Sequence, residues 1–181
     1  MGHKIFSFSI LMVALLWMTY VQAQDIPQGY QRIAKNYQVP VKLFYALLIQ
    51  ESGFTTKYGF KPWPWTLNIA GKSKRYQTRK AAYQALIQAI NRGIKSVDIG
   101  LGQVNWLYHK KQLGSLWQAL DPYHNLKVSA QILRYEYERS GQHWWIAVGR
   151  YHSPGQKIKQ LARAKDYERR VKRHYQKMDK V

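Results

Sequence analysis

The sequence predicts a mainly α, single-domain fold with a small β-hairpin. Three observations point there. Apolar residues recur at helical spacing in most segments, strand-like alternation is confined to one stretch, and helix start and stop residues flank the apolar runs.

The N-terminal stretch stands apart from that domain. His3 and Lys4 precede the apolar run "IFSFSILMVALLWMTYV", which ends in the small-residue pattern Val21-Gln22-Ala23. Residues 1–23 therefore read as a secretory signal peptide. The competing reading is an uncleaved N-terminal anchor, since Ile5 to Val21 lies near the lower length limit for spanning a bilayer. Both readings export residues 24–181, a length that suits one domain with a real core, placed in the periplasm or cell envelope.

A short helix is expected around Tyr30 to Tyr37. Pro40 then suits the start of a second helix, where its missing N–H costs nothing. This helix runs through "VKLFYALLIQ" to Glu51 and Ser52, and Gly53 is expected to end it in the left-handed conformation. The segment "KPWPWTLNIAGKSKRYQT" has the prolines of an irregular loop and an Ala70-Gly71 turn, which predict the hairpin. Thr78 caps a helix near Arg79 to Arg92, stopped by Gly93. Asp121-Pro122 starts a long helix that reaches about Ser140 before Gly141. "HWWIAVGRYHSPG" predicts a short helix that breaks at Ser153-Pro154-Gly155. A closing helix from about Lys157 places Ile158, Leu161, Tyr167, Val171, Tyr175 and Met178 on one apolar side.

Twenty-nine Lys and Arg against nine acidic residues give a formal net charge of +20, which implies an anionic partner or surface. For an exported chain, wall and lipid polyanions come before nucleic acid, and no nucleic-acid-binding motif is visible. Zero cysteines exclude a disulfide framework and thiol chemistry. The histidines show no paired metal-ligand spacing, the serines no G-x-S-x-G turn, and the glycines no phosphate loop, so neither metal nor cofactor is expected. Fourteen Tyr and seven Trp supply either core volume or flat platforms for sugar rings.

Glu51 is the informative acid. A carboxylate at a helix C-terminus meets the negative end of the helix dipole, and the preceding "LFYALLI" implies poor hydration. Both effects favour the protonated form. A carboxylic acid kept neutral can protonate a glycosidic oxygen, a general-acid role that typically contributes about 10² to 10⁴ in rate.

Three stretches in order, "ESG" at 51–53, "SVDIGLGQVN" at 96–105 and "RYHSPG" at 150–155, resemble the bacterial lytic transglycosylases of the lysozyme-like superfamily, and "DYERRVKRHY" resembles that family's closing helix. The resemblance implies a lysozyme-like fold of the goose-lysozyme/SLT type and cleavage of peptidoglycan glycan strands by a monomer without cofactor. It implies Glu51 as the catalytic acid/base, with Gln103, Tyr151, Asp98, Asn105 and His152 as substrate-binding positions. Tyr151 falls where a tyrosine orients the catalytic carboxylate or the saccharide; its alternative is a core aromatic. Two departures stand out: Gly102 where the family commonly has Met, and His152 where it commonly has Asn. The "KPWPWTLNIAGK" segment resembles the insert of specialised members that serve conjugation and secretion machines. Trp63 and Trp65 there either extend a saccharide platform or plug the core.

Asp98 opens a second route. It falls where the animal-type lysozymes of this superfamily carry their second carboxylate, so a groove-facing Asp98 implies a hydrolase, a lysozyme-type muramidase. The alternative is a loop aspartate bonded to its own backbone before Gly100. A non-catalytic peptidoglycan-binding scaffold remains the reading from another class, and an exported nucleic-acid binder rests on charge alone.

Overall fold

The computed structural model describes residues 26–57 and 59–179; the signal or anchor segment read at 1–23 lies outside them. The described chain is mainly helical with a small amount of antiparallel sheet. No helix among the described residues is long and apolar enough to cross a membrane.

The first helices are α1 (Gln28–Asn36) and α2 (Val41–Ser52), the latter entered from Pro40. Leu43 to Ile49 of α2 are all buried. A helix apolar on every side belongs in the middle of a core. Around it pack α1, α6 (Pro122–Arg139), α7 (Trp144–His152) and α8 (Ile158–Lys177), contributing Ile33, Leu126, Leu133, Val148, Tyr167 and Val171.

A second cluster forms under the sheet. Strands β1 (Gly53–Thr56) and β2 (Gly59–Pro62) make one hairpin. A four-stranded antiparallel sheet follows in the order β4-β3-β5-β6, from β3 (Thr66–Ile69), β4 (Lys72–Arg75), β5 (Val97–Ile99) and β6 (Val104–Asn105). Leu67, Ile99 and Val104 of this sheet pack with α3 (Arg79–Asn91), α4 (Trp106–Leu113), α5 (Leu116–Ala119) and Val128 of α6. Helix α6 thus borders both clusters. Its buried Glu136 pairs with Arg150 of α7 at 2.6 Å, closing the helical side.

Several local expectations hold. Thr78 accepts from Ala81 N at 3.2 Å, Asp121 accepts from His124 N at 2.9 Å ahead of Pro122, and Gly93 and Gly141 take positive φ. The Ala70-Gly71 turn joins β3 to β4 as expected, but three further pairings, β1–β2, β3–β5 and β5–β6, lay outside the predicted hairpin.

Three expectations are corrected. Gly53 has φ −52° and ψ 136°, so it opens β1 rather than taking a left-handed cap. Glycine is needed there because a Cβ would lie 2.4 Å from the Ile49 carbonyl and 2.6 Å from the Phe60 ring. Ile158 and Leu161 are exposed, unlike Tyr167, Val171 and Met178, because only the later turns of α8 pack on α2 and α7. Asp98 lies in β5, and its side chain bonds neighbouring amides rather than its own backbone.

Candidate active site

The three motif stretches converge on one loop, residues 100–103. Ser52, at the end of α2, donates its hydroxyl to Leu101 O at 2.7 Å. Tyr151, from α7, donates to Gly102 O at 2.7 Å. Asn125, from α6, accepts from Gly102 N at 2.9 Å and donates to Ile99 O and Ala119 O at 2.9 and 3.1 Å. Each buried backbone group taken by these side chains escapes the penalty of an unmade hydrogen bond. The loop is therefore fixed from three helices at once.

Gly102 gains a physical reason from this packing. A Cβ at that position would sit 1.9 Å from Ser129 Oγ and 2.8 Å from the Tyr151 hydroxyl. The space that a larger residue would need is filled by Ser129 and Tyr151. Gln103 follows with φ 46°, a region that non-glycine residues seldom occupy. Its Nε2 donates to Gly100 O at 2.8 Å and Thr66 O at 3.1 Å, which holds the unusual backbone in place.

Beside this loop is a cleft of about 710 Å³ between the two core clusters. Glu51, Asp98, Gln103, Asn105, Tyr151 and His152 all line it. All six residues singled out in the sequence thus come together. Their side chains do different work.

Glu51 lies in the last turn of α2, half-buried and lining the cleft. Tyr167 of α8 donates its hydroxyl to Glu51 Oε1 at 2.6 Å. Burial pushes the Glu51 carboxyl up to about 8; the Tyr167 hydrogen bond and Arg170 oppose this, and the charge of Asp98 reinforces it. At neutral pH Glu51 is a carboxylic acid with a proton to give.

Asp98 is held on both oxygens, by Asn68 Nδ2 at 2.9 Å and Asn105 Nδ2 at 2.7 Å. Asn105 also caps α4 by accepting from Leu107 N at 3.0 Å. Asn105 thus anchors Asp98 and α4, which leaves its side chain committed to the protein. Tyr151 buries its hydroxyl on the loop, and burial raises its proton affinity. The tyrosine bonded to the candidate acid is Tyr167, which the apolar periodicity of α8 had placed in the core.

His152 stacks on that tyrosine, with ring centroids 4.6 Å apart and planes 6° from parallel. Burial, helped by Arg170, holds its imidazole below the usual range and so favours the neutral ring. Trp63 and Trp65 meet edge to face at 6.0 Å, Trp63 donates to Tyr76 O, and Trp65 packs on the sheet cluster. Neither is among the residues that line the cleft.

Sequence reasoning also passed over Asn68, Tyr108 and His109, which line the same cleft. Among the described residues no cluster of three His, Asp or Glu is placed to hold a metal ion. Compared with protein families, curated proteins and solved structures, the chain finds no match.

Proposed function

We propose that this protein is a peptidoglycan lytic transglycosylase that cleaves the β-1,4 bond between N-acetylmuramic acid and N-acetylglucosamine. One observation carries the reading: a desolvated carboxylic acid, Glu51, protonated at neutral pH and held by Tyr167, sits in a cleft large enough for saccharide.

The reaction then needs one acid used twice. Glu51 gives its proton to the glycosidic oxygen as the bond to the muramyl C1 breaks, and the leaving sugar departs with a free hydroxyl. Positive charge builds at C1, and the Asp98 charge across the cleft is of the sign that stabilises it. The Glu51 carboxylate next accepts the proton of the muramyl 6-hydroxyl as that oxygen bonds C1. A 1,6-anhydro ring closes, Glu51 recovers its proton, and no water is consumed. Tyr167 donates to the carboxylate formed midway, when that hydrogen bond is strongest.

A second reading has its own support. Because Asp98 lines the cleft with Glu51, hydrolysis through two carboxylates is chemically available. Product analysis separates the two: anhydro-muramic ends mark the transglycosylase, reducing muramic ends the muramidase. Asp98→Asn should retain substantial activity in the first case and approach the loss of Glu51→Gln in the second.

The excess positive charge suits a wall rich in stem-peptide carboxylates. On this reading the chain acts as a monomer in the periplasm or cell envelope and opens the wall locally for an envelope-spanning apparatus of the conjugation or secretion type. A wall-binding module without activity would bind sacculi and release no products.

A further inference from the structure

Tyr167 touches the candidate acid, yet the cleft does not reach it. Its hydroxyl bonds Glu51 Oε1, but its ring is 1% exposed and is not among the residues that line the cleft, whereas Glu51 is. One side chain both lines the cleft and covers this ring. His152 remains partly open to solvent and lies flat on Tyr167, with the ring planes 6° from parallel and the centroids 4.6 Å apart.

The backbone brings the two rings together from fixed points on either side of His152. After it comes buried Ser153, whose hydroxyl donates to Gln160 O at 3.0 Å and ties the end of α7 to the start of α8. Three residues before it is Gly149, where a Cβ would lie 2.8 Å from the Ala164 carbonyl oxygen. Glycine there is what lets α7 approach α8 so closely.

What His152 gives Tyr167 is its face. No hydrogen bond among the described residues uses the His152 imidazole. Burial and Arg170 also keep that ring neutral. A neutral planar group laid on a phenol ring excludes water from one side of it. Water admitted there would compete for the Glu51–Tyr167 hydrogen bond and hydrate the neighbouring carboxyl, and a hydrated carboxyl returns toward its ordinary acidity. The charges around the pair, Asp98 from β5 and Arg163, Asp166 and Arg170 from α8, act through space and supply no such cover. The Arg170 guanidinium stands farther off, 5.6 Å from the Tyr167 ring centroid, and is paired with Asp166.

We propose that His152 is a positioning residue whose ring, stacked on Tyr167, seals the Glu51–Tyr167 hydrogen bond from the water of the cleft and holds the acid ready to donate. The role rests on the reading of Glu51 as the acid. It works through Tyr167 and needs no contact with saccharide.

The test follows the Glu51 proton directly, without substrate. Glutamate carboxyl carbons are isotope-labelled, and the Glu51 signal is identified as the one that Glu51→Gln removes. Its titration is then followed by NMR in the parent chain, His152→Ala and His152→Phe. Above neutral pH all three carry no charge at position 152, so a difference among them reports ring cover. The expected result is that Glu51 titrates near 8 in the parent, about one pH unit lower in His152→Ala, and close to the parent in His152→Phe. A titration that is unmoved or raised in His152→Ala overturns the sealing role, as does a His152→Phe chain that titrates with the alanine variant. Circular dichroism checks that each variant is folded; should His152→Ala not fold, His152→Ser takes its place with the same expected lowering. Sacculus cleavage by the parent chain is scored separately. Cleavage with an unmoved Glu51 titration sinks the sealing role alone, and the expected titrations without cleavage sink the enzyme reading alone.

Discussion

At the scale of single residues, the account turns on the proton of Glu51. Its carboxyl is raised from 4.5 to about 8 in the folded chain, so activity should be present at neutral pH and fall as pH rises through about 8. The same shift has a stability consequence of definite sign. Between 4.5 and about 8 the unfolded chain has released this proton while the folded chain keeps it, so stability falls with rising pH across that window and levels off above it. Glu51→Gln removes the titration and can still accept from Tyr167. Thermal melts should show the variant gaining on the parent from pH 4.5 to pH 8, by a few kcal/mol at most; a constant gap across that range would contradict the assignment. Turnover on sacculi should meanwhile drop at least about 10²-fold. Tyr167→Phe removes the hydrogen bond that lowers the Glu51 value. Its alkaline limb should therefore move to higher pH, with activity down about tenfold; an unmoved limb would show that the hydroxyl does not tune the acid. Glu51 was legible because its helix-end position and apolar run are both written locally. Tyr167 was not, since its partner lies 116 residues away and a buried tyrosine on an apolar face looks like core.

At the scale of elements, caps and stops were readable wherever their chemistry is contained within four residues, as at Thr78, Asp121-Pro122, Gly93 and Gly141. Elements built from distant partners were not. Strands β5 and β6 have three and two residues, too few for alternation to register, and exist because β3 pairs with β5. Helices α4 and α5, with eight and four residues, carry too little apolar periodicity to separate from the surrounding loop. Gly53 misled for a related reason: a glycine after a helix commonly takes positive φ, but here close approach to Ile49 and Phe60 demands it. Asn125 is the clearest case of a hidden hub. Within α6 it reads as an unremarkable polar residue, yet it joins α6 to the β5 end, the Gly102 loop and α5. Asn125→Ala strands three buried backbone groups and should destabilise the fold by about 3 kcal/mol or more. Chemical denaturation measures this directly, and a loss under about 1 kcal/mol would mean that the loop is not held in this way.

At the scale of the whole molecule, two core clusters meet along α6, and the cleft lies between them. That the three motif stretches share one site was implied by the resemblance they carry, though only the fold reveals that Ser52, Asn125 and Tyr151 all grip one loop. Net charge acts at this scale as well. With nine acids against twenty-nine Lys and Arg, binding to isolated sacculi should weaken several-fold between about 50 and 300 mM salt, as screening shortens the reach of surface charges. Sedimentation with sacculi across a salt series reads that slope, and salt-independent binding would contradict a charge-driven association. The central claim, that Glu51 cleaves glycan strands as a lone acid and base, is tested most directly by mass spectrometry of the soluble products released from purified sacculi. The account predicts fragments ending in 1,6-anhydro-muramic acid from the parent chain and none from a folded Glu51→Gln variant. Release of the same fragments by that variant, or no release by the parent, would contradict it.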